Sequence, residues 1–236
     1  MNRLKSFSAA LALLTVCCAG AAAQGAREWI GRGNALYARG EYEAAVRLYE
    51  RVPAGAGDAY AQALYNIGVC RYELWQTEEA VRFYTSAAEA RGGSYPKAQY
   101  ALGVALEDLG RAGEARRAYE RAAAGRGAGS ETAHYKLGLI AARGGDDAGA
   151  AAHFREAVRR AGAGFPAGHN NLGVMLARAG RLAEAEREFE AALRQSGGSF
   201  EEAAHNLKLC RKLLAGADAG EAAALKVAAA PAAPGR

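Results

Sequence analysis

Histidine is the side chain in this sequence best suited to hold a metal ion or to transfer a proton. There are four, and His134 and His169 stand 35 residues apart, which is also the repeat period of the chain. Equivalent sites in successive helical repeats lie about one helix spacing, ~10 Å, apart, too far to share one metal ion. The sequence contains no H-E-x-x-H, G-x-S-x-G or phosphate-binding loop. We therefore predict no catalytic residue, no metal site and no cofactor.

Cysteine offers no better basis for chemistry. Of the four cysteines, Cys17 and Cys18 lie in an apolar N-terminal stretch, which leaves Cys70 and Cys210. These two occupy the same position of the repeat, four periods apart. A disulfide requires Cα atoms within roughly 7 Å, which such a separation does not allow. Both are predicted to be small buried apolar residues.

The elements that position these side chains are set by an internal repeat. Four columns of residues recur every 35 positions: two of glycine, one of alanine and one of aromatic residues. Columns that agree in register indicate a repeated structural unit rather than chance. The first glycine column is Gly33, Gly68, Gly103, Gly138 and Gly173, and the aromatic column is Tyr49, Tyr84, Tyr119, Phe154 and Phe189.

Each repeat is predicted to be a helix, a tight turn and a second helix. Apolar residues recur at steps of three and four on both sides of Gly180, which interrupts the pattern. Gly173 and Ala185 are small enough to let the two helices approach, and Phe189 fills the space between them. Ser199, followed by Glu202, predicts a capping box at the start of a last helix.

These units resemble the tetratricopeptide repeat, whose pattern of small and aromatic residues they share from about residue 26 to 214. The period of 35 and the glycine near the end of each unit depart from the usual 34 and proline. The resemblance implies an all-α, right-handed superhelical solenoid of antiparallel helix-turn-helix repeats over residues 24–216. The repeats are expected at about 26–60, 61–95, 96–130, 131–165 and 166–200, with a capping helix at 201–215 and a flexible Ala/Pro-rich tail at 217–236.

The resemblance also implies that the first helix of each repeat lines a concave groove. Tyrosine is frequent at groove positions of the N-terminal repeats, and its rigid amphipathic ring suits protein recognition. The alternative is that these tyrosines only pack against the next first helix. We predict a partner-binding groove made by Tyr37, Tyr65, Tyr72, Tyr100 and Tyr135, with Asn34, Asn66 and Lys97 orienting backbone or acidic groups of the partner.

A sharper form of this groove exists in some members of the family, where a clamp holds the C-terminal carboxylate of a partner. Asn34, Asn66 and Lys97 fall on matching positions. Ile30 and Ala101 stand where the clamp has its other Lys and its Arg. Because two of the three cations are missing, most of the charge-assisted hydrogen bonding of a clamp is lost, and we do not expect one here.

The N-terminus reads as a secretory signal peptide over residues 1–23. Arg3 and Lys5 precede an apolar stretch, and small residues follow up to Ala23. An alternative is lipidation at Cys17, and a retained leader is also open. Removal of the leader lowers the formal net charge from +5 to +3. No cluster of basic residues is present, so nucleic acid is not an expected partner.

The sequence therefore predicts a non-enzymatic protein-binding scaffold or adaptor, periplasmic or elsewhere in the cell envelope. It would hold a protein or peptide segment in its groove and would have no small-molecule substrate. The alternative is a fixed structural subunit of an envelope assembly that uses the convex face or the ends of the solenoid. Contact with a membrane would come only through an uncleaved or lipidated N-terminus.

Overall fold

The structure, a computed structural model, describes residues 24–162, 164–216 and 224–229. Within these ranges all regular structure is helical, which confirms the all-α prediction; the predicted leader lies outside them. None of the described helices is both long and apolar enough to cross a membrane. In chain order the helices are α1 (24–37), α2 (Tyr42–Tyr49), α3 (Asp58–Glu73), α4 (Thr77–Glu89), α5 (Pro96–Asp108), α6 (Ala112–Ala124), α7 (Ser130–Arg143), α8 (Asp147–Ala161), α9 (Pro166–Arg178), α10 (Leu182–Gln195) and α11 (Glu201–Leu214), with a 3-10 helix (Ala54–Ala56) before α3.

The chain divides into two compact units. Unit 1 holds the described residues up to 115, and unit 2 holds those from 116 onward. In unit 1, α2 packs on α3, α3 on α4 and α4 on α5. In unit 2, each helix from α7 to α11 packs on the next, and α9 also contacts α11 directly. This order of helix, turn and helix is the one predicted from the repeat.

The two helices of a pair approach closely because a glycine on the first faces an aromatic ring on the second. A Cβ atom built on Gly173 would lie 2.7 Å from the Phe189 ring, and one on Gly68 would lie 2.7 Å from the Tyr84 ring. Both rings are fully buried, and burial of such a side chain stabilises the fold by about 1.5–3 kcal/mol. The predicted role of the glycine and aromatic columns is therefore confirmed.

The turn between paired helices needs a residue with positive φ. Gly180 has φ 74°, and glycine also occupies the equivalent turn of three other pairs. Trp75 is the exception, with φ 62° and 76% of its surface exposed. A left-handed conformation costs a residue with a side chain roughly 1–2 kcal/mol, so Trp75 holds a strained backbone in unit 1.

The last helix begins at the predicted residue, Glu201, but without the predicted cap. Phe200 is the residue before α11, and no side chain caps the helix there. The Ser199 hydroxyl donates instead to the Ser196 carbonyl at 2.7 Å, at the end of α10. The capping box predicted from Ser199 and Glu202 is therefore wrong, because the serine bonds to the end of the preceding helix.

Candidate functional site

Within each unit, the first helices of the pairs contribute to a surface that we call the first-helix face of that unit. In unit 1 this face comes from α1, α3 and α5, and it contains a pocket of about 340 Å³, the unit 1 pocket. Five of the eight predicted groove residues line it. The lining residues are Asn34, Tyr37, Tyr49, Gln62, Tyr65, Asn66, Val69 and Lys97.

The polar side of the unit 1 pocket is built around two asparagines. The side-chain oxygen of Asn34 accepts from the Tyr49 hydroxyl at 2.8 Å and from the amide nitrogen of Asn66 at 3.1 Å. Asn34 is exposed and Asn66 is half-buried. A carboxamide carries both a donor and an acceptor, so it can match the N–H and C=O of a peptide.

The aromatic side of the pocket is largely packed. Tyr65 is 3% exposed, and its ring lies 5.7 Å from that of Tyr84 and 5.8 Å from that of Tyr95. The Lys97 ammonium lies 4.7 Å from the centre of the Tyr65 ring, a favourable cation–π arrangement. Tyr65 thus forms the floor of the pocket, and the exposed Lys97 lies over it.

Three other predicted tyrosines differ in how much surface they offer. Tyr37 is half-buried, and its hydroxyl donates to Glu73 at 3.2 Å; burial, followed by this carboxylate, raises the pKa of Tyr37. The buried Tyr72 donates to the carboxylate of Asp108. Tyr100 is also buried. Packing, the alternative left open by the sequence, describes the surroundings of Tyr72 and Tyr100 better than an open contact surface does.

The residues that would complete a carboxylate clamp are absent from unit 1. Ile30 belongs to the buried core of this unit, and Ala101 is also buried. Neither can supply a charged donor. Asn34, Asn66 and Lys97 remain together in the pocket without the second and third cations that a clamp requires.

In unit 2 the first-helix face, formed by α7, α9 and α11, is covered by a segment of the chain itself. Residues 225–229, within the stretch predicted to be a flexible tail, are neither helix nor strand. The Asn206 amide donates to the Lys226 carbonyl at 2.8 Å and accepts from the Lys226 N–H at 2.8 Å. The Asn171 amide binds Ala228 in the same way, at 3.0 and 2.7 Å. Two asparagines therefore pair with both backbone groups of two residues that stand two positions apart.

Neighbouring side chains hold these asparagines in place. Asn170 donates to the Lys226 carbonyl and to the Asn171 oxygen, both at 3.0 Å, and accepts from Asn206 at 2.8 Å. Asn170, Asn171 and Asn206 are all 0% exposed. A buried amide without a partner would cost about 1–3 kcal/mol, and the backbone of segment 224–229 supplies partners to the amides that it covers.

Tyr135 is the predicted groove residue that contacts this segment. Its hydroxyl donates to the carbonyl oxygens of Ala228 and Ala229, each at 3.0 Å, and accepts from Asn171 at 2.8 Å. The ring is fully buried, and this burial raises the pKa of Tyr135. Tyr135 thus binds backbone through its hydroxyl group, while its ring packs in the core of unit 2.

The asparagines of unit 2 were not among the predicted site residues. A signal for them exists in the repeat, because Asn171 and Asn206 are 35 residues apart and share their column with Asn66. Asn66 was singled out and the other two were not. Their function becomes visible only with the segment that they bind.

The described residues include histidines and cysteines whose types could support chemistry. They contain no group of three or more His, Cys, Asp or Glu side chains that could hold a metal ion. His134 and His153 face each other with their Nδ1 atoms 3.2 Å apart, and His169 lies 2.7 Å from Glu188. Cys70 and Cys210 are buried free thiols, as predicted, and burial raises the pKa of Cys70 to about 12.

Comparison with known proteins identifies the fold. The tetratricopeptide-repeat family model matches residues 30–95, 76–131, 100–166 and 135–200. No match was found among curated proteins. Among solved structures, PilF of Pseudomonas aeruginosa is 16% identical with a TM-score of 0.65, covering 87% of this chain and 90% of its own.

Two further structures are similar. YrrB, described as a tetratricopeptide-repeat protein with an unusual peptide-binding site, is 23% identical with a TM-score of 0.53 over 76% of this chain and 90% of its own. MamA from Desulfovibrio magneticus is 20% identical with a TM-score of 0.52 over 74% and 97%. At these identities the structures support the fold alone, whereas the family model covers more than half of the sequence. With its glycine-facing-aromatic helix pairs and this match, the chain belongs to the tetratricopeptide-repeat family.

Proposed function

We propose that this chain is an exported scaffold of the cell envelope that binds an extended segment of a partner protein at the unit 1 pocket. Tetratricopeptide repeats are protein-interaction modules, and YrrB is described by its peptide-binding site. The export part of the proposal rests on the basic, apolar and small-residue pattern of residues 1–23. Binding would depend on contact area and backbone hydrogen bonds and would involve no chemical step.

The observation that carries the proposal is the pairing of Asn171 with both backbone groups of Ala228. Asn66 occupies the same repeat position in the unit 1 pocket, so its carboxamide can pair with the N–H and C=O of a partner residue in the same way. There it lies beside Asn34, the Tyr65 floor and the ammonium of Lys97. The positive charge of Lys97 favours a partner segment with an acidic side chain next to the residue that Asn66 would bind.

The test is crosslinking and capture of partners from the native cell envelope with the full chain. Tyrosine-to-alanine changes are unsuitable here, because Tyr65 and Tyr100 are buried and their truncation would destabilise the fold. The variant is therefore Asn66→Ala with Lys97→Ala. The matched control is Arg82→Ala, which removes an exposed cation of α4 outside the pocket lining.

We expect the wild type and Arg82→Ala to capture the same partner and the double variant to lose it. Circular dichroism must first show that all three are equally folded. Equal capture by the double variant would reject the unit 1 pocket as the site. Fractionation of cells, with the mass of the mature N-terminus, tests export, and a cytosolic chain with residues 1–23 intact would reject that part.

A further inference from the structure

We infer that the first-helix face of unit 2 is a second peptide-binding site, selective for an extended segment with leucine at one position and alanine three positions later, and that residues 225–228 occupy it as an exchangeable internal ligand. The inference rests on the proposed function, because it assumes that the internal segment occupies the position at which a segment of a partner protein would bind. Its site is distinct from the unit 1 pocket.

The first step is that the contacts which hold the segment are independent of its sequence. Asn171 and Asn206 pair with backbone N–H and C=O groups, and Tyr135 binds carbonyl oxygens. Any non-proline residue offers the same groups. A segment from another protein could therefore make the same hydrogen bonds, provided that it is extended and not helical.

The second step is that selectivity comes from two side chains. Leu225 is 5% exposed and belongs to the apolar core of unit 2, and Ala228 is 6% exposed. Lys226 and Val227 are exposed. The site therefore selects a large aliphatic residue first and a small residue three positions later, and it leaves the two residues between them free to vary.

The third step concerns charge beyond the alanine. A pocket of about 540 Å³ adjoins Val227, Ala228 and Ala229, and its lining includes Lys136, Arg143 and Arg178. Arg178 also lies 3.3 Å from Asp147. The chain continues after Ala229 with the uncharged pair Ala230 and Pro231. A ligand with acidic residues after its alanine would complement these cations better than the chain's own segment does.

The fourth step is competition. A segment tethered to its own site acts at an effective concentration of roughly millimolar for a short linker, so even weak contacts keep it bound. A partner segment must then bind with a higher affinity, or be present at a higher concentration, than the tethered segment. The internal segment would thus set a threshold of affinity or concentration below which the site stays closed to other chains.

The experiment measures binding of a fluorescent peptide to the purified chain. The probe is Ala-Leu-Lys-Val-Ala-Ala followed by two aspartates. Three proteins are compared: the wild type; Leu225→Asp, which places a charge in the buried position; and Ala224→Asp, which adds the same charge at an exposed neighbouring position. A fourth protein combines Leu225→Asp with Asn171→Ala and Asn206→Ala.

We expect Leu225→Asp to bind the probe at least about tenfold more tightly than the wild type, because the internal competitor has been removed. Ala224→Asp should bind like the wild type, and the fourth protein should lose binding at least about tenfold. Equal affinity of the wild type and Leu225→Asp would show that the segment is not the occupant. An undetectable affinity for Leu225→Asp would reject the site itself.

Hydrogen exchange provides a second readout that needs no ligand. The backbone N–H groups of Lys226 and Ala228 should be protected in the wild type and unprotected in Leu225→Asp, with the helices of unit 2 protected in both. Protection that appears only at high protein concentration would mean that two copies exchange segments, which overturns an internal ligand. The assays use purified protein and one probe, so their failure leaves partner capture at the unit 1 pocket untouched, and the reverse also holds.

Discussion

The first-helix faces of the two units use the same repeat positions for different kinds of contact. In unit 1, Tyr65 packs among aromatic rings below Lys97, and Asn66 bonds to another side chain, Asn34. In unit 2 that column holds Tyr135 in α7 and Asn170 in α9, and both of these side chains, like Asn171, bond to backbone carbonyls of segment 224–229. The comparison teaches that the same repeat positions serve packing in unit 1, where rings pack together and side-chain amides bond to each other, and backbone binding in unit 2, where a tyrosine hydroxyl and successive asparagines contact one segment.

The largest expected effect tests whether both units depend on the same close contact between a glycine and an aromatic ring of paired helices. Gly68→Ala and Gly173→Ala each place a Cβ within 2.7 Å of a buried ring, so each should lower the free energy of unfolding by about 1–3 kcal/mol. Gly113→Ala is the control, because its Cβ would meet nothing within 4 Å. It should be neutral or stabilising by about 0.5–1 kcal/mol.

Chemical denaturation measures these changes. Both tryptophans, Trp29 and Trp75, lie in unit 1, so their fluorescence reports on that unit, and hydrogen exchange reports on unit 2. If Gly173→Ala were harmless and Gly68→Ala costly, the close approach of helices would be a feature of unit 1 alone.

The second prediction compares an asparagine that binds backbone, Asn206, with one that binds a side chain, Asn66. Asn206→Ala should leave the N–H of Lys226 without its asparagine partner and its C=O with Asn170 alone, and should destabilise the binding of segment 224–229 by about 1–3 kcal/mol. Asn66→Ala removes a half-buried amide that bonds to the Asn34 side chain, and it should lower the free energy of unfolding of unit 1 by less than about 1 kcal/mol. Hydrogen exchange at Lys226 and thermal unfolding of both variants provide the measurement. Equal costs would remove the distinction between the two faces.

The third prediction concerns the strained turn of unit 1. Trp75→Gly should raise the free energy of unfolding by about 1 kcal/mol, because glycine adopts φ 62° without strain. Gly180→Ala, at the equivalent turn of unit 2, should lower it by about 1 kcal/mol. Since Trp75→Gly removes one fluorophore, far-ultraviolet circular dichroism is the suitable probe. A destabilised Trp75→Gly would mean that contacts of the indole outweigh the backbone strain.

The smallest predicted effect depends on pH and acts on unit 2, which holds all four histidines. Burial, then the charge of Arg160, lowers the pKa of His134, and burial, then Arg116, lowers that of His153. Between the lowered pKa and the ordinary value near 6.5, the unfolded chain binds more protons, so stability falls as the pH drops through this range.

Hydrogen exchange of unit 2 at pH 7.5 and 5.5 measures that loss, with unit 1 as the internal control. His153→Gln should reduce the difference between the two pH values. A pH response confined to unit 1 would contradict the assignment of the effect to this histidine pair.

The helix pairs could be predicted from the sequence because their determinants repeat. Gly173 and Phe189 recur as columns, and their sizes dictate close packing wherever they occur. The position of Tyr65 near a pocket followed from its column, but its burial did not, since burial depends on neighbours such as Tyr95. A capping box at Ser199 was wrong because one hydroxyl can bond to either of two helix ends.

The tail was the least predictable part of the structure. An alanine-rich stretch shows no apolar period, so the sequence suggests a flexible tail. Lys226 and Ala228 bond through backbone groups, which nearly every residue has, so the residue types at these positions do not predict the bonds. Their partners, Asn171 and Asn206, look like ordinary polar residues of a helix until the segment is placed beside them.

The spacing of Asn171 and Asn206 relates the number of repeats in the scaffold to the length of the segment that it binds. One step of 35 residues along the scaffold, from Asn171 to Asn206, corresponds to a step of two residues along the bound segment, from Ala228 back to Lys226. Duplication of one repeat with its asparagine would lengthen the recognised segment by two residues, and deletion would shorten it by two. Gene duplication could therefore change the length of a ligand in fixed increments without any new contact having to evolve.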